Sequence, residues 1–89
     1  MPLTKNTENY SEAMIDGELV LMNIITGEFH GLRDVGLDIW QILDREGDPV
    51  AITAILAERY SVDPAVCKAE VDSFLAELAG AKLLVASIS

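Results

Sequence analysis

Few residues of this chain have types and spacing that could support catalysis. The sequence has one histidine, His30, and one cysteine, Cys67, beside fifteen Asp and Glu residues. A general base or a nucleophile needs a partner at a defined spacing, and neither residue has one in a recognisable motif. His30 lies in the apolar segment of residues 29–32, which favours a half-exposed strand histidine with a local hydrogen bond over a general base or metal ligand. We therefore expect no catalytic residues and no enzymatic activity.

Cys67 also has a structural interpretation and a chemical alternative. Its position on the apolar side of a predicted helix is typical of a cysteine that packs as a small hydrophobic group. It also lies near the helix start and beside Lys68, two features that lower a thiol pKa, so a reactive thiol is the alternative. A zinc site would have to combine Cys67, His30 and carboxylates without a ligand spacing, so we expect neither a metal nor another cofactor.

The charge balance excludes several classes of partner. Six Lys and Arg residues against fifteen Asp and Glu residues give a formal net charge of −9 over 89 residues. Nucleic acid binding needs a basic face that displaces counterions, and anionic membranes attract basic segments, so we expect neither partner. No apolar run is long enough for a transmembrane helix or a signal peptide, which predicts a cytoplasmic protein.

The first third of the chain has the pattern of strands and tight turns. The Asp16-Gly17 pair between apolar segments is a strong hairpin signal, and it predicts strands over residues 9–15 and 18–24. The second of these is apolar on both alternations, as in a central strand. A turn at Thr26-Gly27 precedes a short third strand over residues 28–32. This order predicts an antiparallel meander with the first and third strands at its edges.

Three helices are predicted after the strands. Asp34 and Gly47 are the candidate N-cap and C-terminal glycine of the first helix, which contains Trp40 as a core anchor. The pairs Asp48-Pro49 and Asp63-Pro64 are typical of a capping residue followed by proline at the first helical position. The third helix has an apolar stripe and an acidic far side; the stripe contains Cys67, Val71, Phe74, Leu75 and Leu78, and the far side Glu70, Ser73 and Glu77.

The predicted fold class is α+β, because strands come first and helices follow. We expect one domain over residues 1–89, with a core from about 8 to 85, in which residues 83–85 close over the core as an extended tail. A three-stranded antiparallel sheet followed by three helices is similar to a winged helix-turn-helix. The third strand would have a free edge to which a peptide could add as a strand, although a short edge that binds nothing is equally consistent.

Residues 16–84 resemble the PqqD-like family, whose domain is known as the RiPP recognition element. Besides the strand LVLMN at 19–23, three segments carry the resemblance: TGEFHGL at 26–32, VGLDIWQIL at 35–43, and YSVDP with VDSFL at 60–64 and 71–75. Their order and spacing are specific, although no single segment is diagnostic. Two residues depart from the family pattern: Arg33 replaces a frequent Asn, and Lys82 replaces a frequent Gly.

The resemblance implies a protein that binds the leader peptides of ribosomally synthesised, post-translationally modified natural products. In the family, the leader adds to the third strand and lies in a groove against the third helix. Apolar leader side chains would lie near Phe29, Leu32, Val66 and Phe74, and basic ones near Glu70 or Glu77. Carried over by position, the implied peptide-binding residues are Glu28, Phe29, His30, Gly31, Leu32, Val66, Glu70, Ser73, Phe74 and Glu77.

The implied partners are the leader region of a precursor peptide and an enzyme that modifies it. That enzyme is a leader peptidase and cyclase in lasso-peptide pathways, or a radical SAM enzyme in pyrroloquinoline quinone biosynthesis. The alternative function of this chain is that of a peptide chaperone in pyrroloquinoline quinone biosynthesis. A winged-helix transcription regulator is an alternative of a different class, but residues 63–80 hold one lysine and four carboxylates, which phosphates would repel. An acidic carrier protein would need a serine where Ile39 follows Gly36-Leu37-Asp38.

Overall fold

A computed structural model describes residues 2–86 of the chain. Met1 and residues 87–89, which belong to the predicted domain, lie outside the described residues. The fold is α+β, as predicted, and consists of β1 (Leu3–Lys5), β2 (Tyr10–Ile15), β3 (Glu18–Asn23), β4 (Phe29–Leu32), α1 (Asp34–Ile42), α2 (Pro49–Tyr60), α3 (Pro64–Gly80) and β5 (Leu84–Ala86).

The central sheet is the predicted antiparallel meander, in the order β2-β3-β4. Asp16 and Gly17 join β2 to β3 with φ angles of 51° and 80°. Two consecutive positive φ angles are the requirement of the two-residue turn that matches strand twist, which explains the Asp-Gly pair. The hairpin prediction is confirmed, and β4 lies at an edge of the sheet.

A second sheet, which the sequence analysis did not predict, joins the two ends of the described chain. In it β1 pairs antiparallel with β5, from Leu3 opposite Ala86 to Lys5 opposite Leu84. Gly47 contacts this sheet and does not end α1. Because α1 ends at Ile42, the prediction of Gly47 as a helix-ending glycine is wrong. The Leu3 N–H donates to the Gly47 carbonyl at 2.7 Å, and a Cβ on Gly47 would lie 2.0 Å from the Leu3 carbonyl oxygen.

Two of the three predicted helix starts have the expected capping bonds. The carboxylate of Asp48 accepts from the Val50 N–H at 3.0 Å, and that of Asp63 accepts from the Ala65 N–H at 2.8 Å. The prediction of Asp34 as a cap is wrong: Arg33 is the N-cap residue of α1, without a side-chain cap bond. Asp34 is the first helical residue and has a left-handed φ of 55°.

The helices cover one face of the central sheet, which we call the inner face, and Trp40 anchors the core between them. Its indole is 1% exposed, its Nε1–H donates to a Glu12 carboxylate oxygen on β2 at 3.0 Å, and the Tyr10 ring meets it edge-on with centroids 5.2 Å apart. The predicted anchor is therefore confirmed. The buried residues of α3 are Cys67, Val71, Leu75 and Leu78, and from the predicted tail Leu83 and Leu84 are buried.

Candidate functional site

The outer edge of β4 presents backbone groups that no strand of residues 2–86 covers. The Asn23 N–H donates to the Glu28 carbonyl at 2.8 Å, just before β4 begins. Because hydrogen-bonded and non-hydrogen-bonded pairs alternate in an antiparallel ladder, His30 and Leu32 direct their backbone groups toward β3. The backbone N–H and C=O of Phe29 and Gly31 therefore point to the open edge, ready for a further strand.

The side chains of β4 alternate between the two faces of the sheet. His30 and Leu32 pair with the buried Leu21 and Leu19 of β3, which places them on the inner face. Phe29 points to the opposite, outer face and is 69% exposed. A peptide strand added to this edge would thus direct alternate side chains toward the helices and toward solvent.

A groove lies between the inner side of β4 and α3. It consists of two adjoining cavities, and His30 lines both of them. The first cavity, of about 270 Å³, is lined by His30, Gly31, Leu32, Phe74, Glu77 and Leu78. The second, of about 310 Å³, is lined by Asn23, Ile25, Thr26, Glu28, His30, Gly80, Ala81 and Lys82.

The α3 wall of the groove has an acidic and aromatic face. Glu70, Phe74 and Glu77 follow one another at spacings of four and three residues, which places them on one side of the helix. Phe74 is partly buried against the core, and its ring packs over Gly36 of α1. Phe74 thus contributes both to the core, as the apolar stripe predicted, and to the groove.

The structure brings part of the predicted site together. His30, Gly31, Leu32, Phe74 and Glu77 line the first cavity, and Glu28 lines the second. The three remaining residues of α3 are exposed on the helix and line neither cavity; they are Val66, Glu70 and Ser73.

Phe29 does not join the groove. It lies on the outer face beside Met22, its cross-strand partner, whereas Phe74 lies on the inner side. Because successive side chains of a strand point to opposite faces, a leader side chain near Phe29 would lie on the outer face and one near Leu32 on the inner face.

Sequence reasoning missed the end of the groove beyond α3. Lys82 adopts a left-handed φ of 66°, and its carbonyl accepts from the side-chain amides of Asn6 at 3.1 Å and Asn9 at 3.2 Å. The Asn23 amide donates to the Ala81 carbonyl at 2.8 Å. The family frequently has glycine at the position of Lys82, and glycine adopts a left-handed φ without strain. This difference was the sequence signal for an unusual backbone conformation at Lys82.

Comparison with known proteins identifies the family. Residues 18–84 match the family described as coenzyme PQQ synthesis protein D, PqqD. The chain belongs to the PqqD family. The resemblance read from the three sequence segments is therefore confirmed, and it extends over most of this PqqD-family chain.

Two solved structures have the same fold as this PqqD-family protein. TbiB1, in complex with the TbiA(beta) leader peptide, is 31% identical, with a TM-score of 0.82 over 97% of this chain and 99% of its own. A lasso peptide synthetase B1 complexed with the leader peptide is 21% identical, with a TM-score of 0.82 over 97% of this chain and 100% of its own, and shows the fold alone. No curated protein sequence matches the chain.

The one cysteine and the one histidine of this PqqD-family chain have different surroundings. Burial, followed by the nearby negative charge of Glu70, raises the pKa of the Cys67 thiol, which opposes the reactive alternative. Contrary to expectation, His30 has no local hydrogen bond: its Nε2 is buried without a partner among residues 2–86. Within the same residues, no group of three or more His, Cys, Asp and Glu side chains could hold a metal ion, and no helix is long and apolar enough to span a membrane.

Proposed function

We propose that this PqqD-family protein is a stand-alone RiPP recognition element that binds the leader peptide of a ribosomally synthesised precursor. The observation that carries the proposal is the open edge of β4, where Phe29 and Gly31 present backbone groups beside the groove against α3. TbiB1, which shares 31% identity over 97% of this chain, has been solved with a leader peptide, and this supports the same class of ligand here.

The leader would bind as a fourth strand of the central sheet. Main-chain hydrogen bonds to Phe29 and Gly31 would supply affinity that does not depend on leader sequence. Side chains on the inner face of the added strand would enter the groove between Leu32 and Phe74, and these contacts would select among leaders. The missing side chain at Gly31 leaves room for the Glu18 side chain, which lies where a Cβ at Gly31 would lie.

The charges of the groove favour a leader with basic residues near α3. Glu77 lines the first cavity, Glu28 lines the second, and Glu70 is exposed one turn before Phe74. The same charges disfavour the alternative of a transcription regulator, because a recognition helix with excess carboxylates repels the phosphates of DNA.

The protein would act by delivering the precursor to a separate enzyme, without chemistry of its own. Holding the leader on a surface that also contacts the enzyme raises the local concentration of the substrate segment. We propose a lasso-peptide leader peptidase and cyclase as that enzyme. The family description favours a second candidate, a peptide chaperone of pyrroloquinoline quinone biosynthesis that serves a radical SAM enzyme. In either case we place the protein in the cytoplasm, where precursors are synthesised.

The proposal is tested by fluorescence anisotropy with labelled leader segments from short precursor genes beside the gene for this chain. We expect saturable binding of one leader and no binding of a random DNA duplex. Phe74→Ala should weaken leader binding, whereas Lys68→Ala, which removes a cation paired with Asp72 away from the groove, should leave it unchanged. Binding of the duplex without any leader would overturn the proposal in favour of the regulator.

A further inference from the structure

His30 forms the floor of the groove where its two cavities meet, and one of its ring nitrogens has no partner. It pairs with Leu21 across β3 and β4 and lines the first cavity together with Leu78. Its Nε2 is buried, and no donor or acceptor among residues 2–86 lies within hydrogen-bond reach. A buried polar atom without a partner destabilises the fold that contains it.

The fold does not need a histidine at this position. An apolar side chain between Leu21 and Leu78 would occupy this position without a nitrogen that lacks a partner among residues 2–86. Buried polar groups left without partners are characteristic of sites that a ligand completes. Because His30 lines both cavities of the groove, a bound peptide would lie within its reach.

We infer that His30 is a specificity-determining residue, and that its Nε2 forms a hydrogen bond with a side-chain hydroxyl of the leader peptide. The inference rests on the proposed function. The leader main chain would not be the partner of Nε2, because it would pair with Phe29 and Gly31 in the plane of the sheet. His30 projects from the inner face, where inward side chains of the added strand lie. A turn of the ring about its broad χ2 torsion directs Nε2 toward either cavity.

The charged groups around His30 favour a neutral partner such as a hydroxyl over a charged one. Glu77 lines the first cavity with His30, and Glu28 and Lys82 line the second. In the first cavity a leader carboxylate would be repelled by Glu77, and a leader ammonium or guanidinium would pair with Glu77 instead of His30. A hydroxyl is neutral, and because it both donates and accepts, it can pair with either neutral tautomer of the ring.

A double-mutant cycle between protein and leader tests the inference. His30→Phe removes the nitrogen but keeps a ring of similar size, and leader variants remove each hydroxyl by Tyr→Phe, Ser→Ala or Thr→Val. We expect one leader variant and His30→Phe each to weaken binding about 5- to 10-fold, and the combination to weaken it no further. Lys68→Ala, the control outside the groove, should show no coupling to any leader hydroxyl.

Nuclear magnetic resonance provides a second readout that needs no variant of the protein. His30 is the only histidine of the chain, so the ¹⁵N resonances of its ring are assigned without ambiguity. The Nε2 resonance should shift on binding of the hydroxyl-containing leader and return toward its free position with the matching hydroxyl-free variant. This measurement decides the question even if His30→Phe fails to fold.

The outcomes separate this inference from the function on which it rests. Equal affinity of wild type and His30→Phe, or full affinity of a leader without hydroxyls, would overturn the role of His30 and leave leader binding intact. An Nε2 chemical shift that is the same with and without the leader hydroxyl would also overturn the role of His30. Failure of every leader to bind would overturn both proposals.

Discussion

The ring of Phe74 on α3 lies directly over the α-carbon of Gly36 on α1. A Cβ built on Gly36 would be 3.3 Å from Cε1 of Phe74, closer than most Cβ contacts. The missing side chain at Gly36 therefore sets how far the Phe74 ring can withdraw from the groove. One glycine on α1 thus determines the shape of a cavity lined by β4 and α3.

Gly36→Val should alter the groove more than it alters stability. The added side chain pushes the Phe74 ring into the first cavity. We expect leader affinity to fall at least about 5-fold, a free-energy change comparable to the cost of slight overpacking. The free energy of unfolding should change by less than about 2 kcal/mol, because the ring is only partly buried and can move. Anisotropy titration and urea denaturation measure the two effects. Unchanged affinity would show that the leader does not contact Phe74.

Glu70→Lys should weaken binding of a leader that carries basic residues in its bound segment. We expect a loss of about 3- to 10-fold at roughly 10 mM salt and a smaller loss at roughly 1 M, because exposed charges are screened. Asp72→Lys is the matched control: it changes the net charge equally but lies on the side of α3 where Asp72 pairs with Lys68. Equal losses for both variants would mean that only overall charge matters, and no loss would remove Glu70 from the leader site.

Lys82→Gly should stabilise the protein by about 1 kcal/mol. Lys82 holds a left-handed φ of 66°, which costs an L-residue roughly 1–2 kcal/mol, and glycine recovers this cost less its own extra chain entropy. Lys82→Ala removes the same charge but keeps a Cβ, so it separates backbone strain from electrostatics. Thermal or urea unfolding measures both variants. A Gly variant no more stable than the Ala variant would contradict the strain account.

Trp40→Ala should cost about 3–5 kcal/mol of unfolding free energy, since it empties a fully buried site. Trp40→Phe should lower the free energy of unfolding by less, because the phenyl ring keeps part of the packing. It leaves the Glu12 carboxylate without its indole donor. Combining Trp40→Phe with Glu12→Ala should then be less destabilising than the sum of the two single changes. Additive losses in urea unfolding would show that the bond between Trp40 and Glu12 contributes nothing.

Local signals in the sequence predicted the elements that depend on few neighbouring residues. The Asp16-Gly17 turn and the capping pairs at Asp48-Pro49 and Asp63-Pro64 each work through backbone conformation within one turn, so the structure matches them. Asp34 has the residue type of a cap, but Arg33 occupies the cap position, and Asp34 is the first helical residue, with a left-handed φ.

Long-range geometry was not accessible from the sequence. The pairing of β1 with β5 joins three-residue strands about 80 positions apart and has no turn signal, and the role of Gly47 depends on that pairing. The groove also depends on residues that are far apart in the sequence. Periodicity places Phe74 on the apolar stripe of α3, but only the packing of α3 against Gly36 and β4 shows that its ring also lines a cavity. That the Nε2 of His30 has no partner in the described part of the chain likewise depends on tertiary contacts and not on its strand position.

The central claim is that a leader peptide pairs with the open edge of β4, and residue-resolved amide hydrogen exchange tests it most directly. In the free protein, the amides of Phe29 and Gly31 face solvent and should exchange fast, whereas those of His30 and Leu32 are bonded to β3. Saturating leader should slow Phe29 and Gly31 exchange by at least about 10-fold, with little further change at His30 and Leu32. If the leader binds and the Phe29 and Gly31 amides still exchange at their free rates, strand addition to β4 is contradicted.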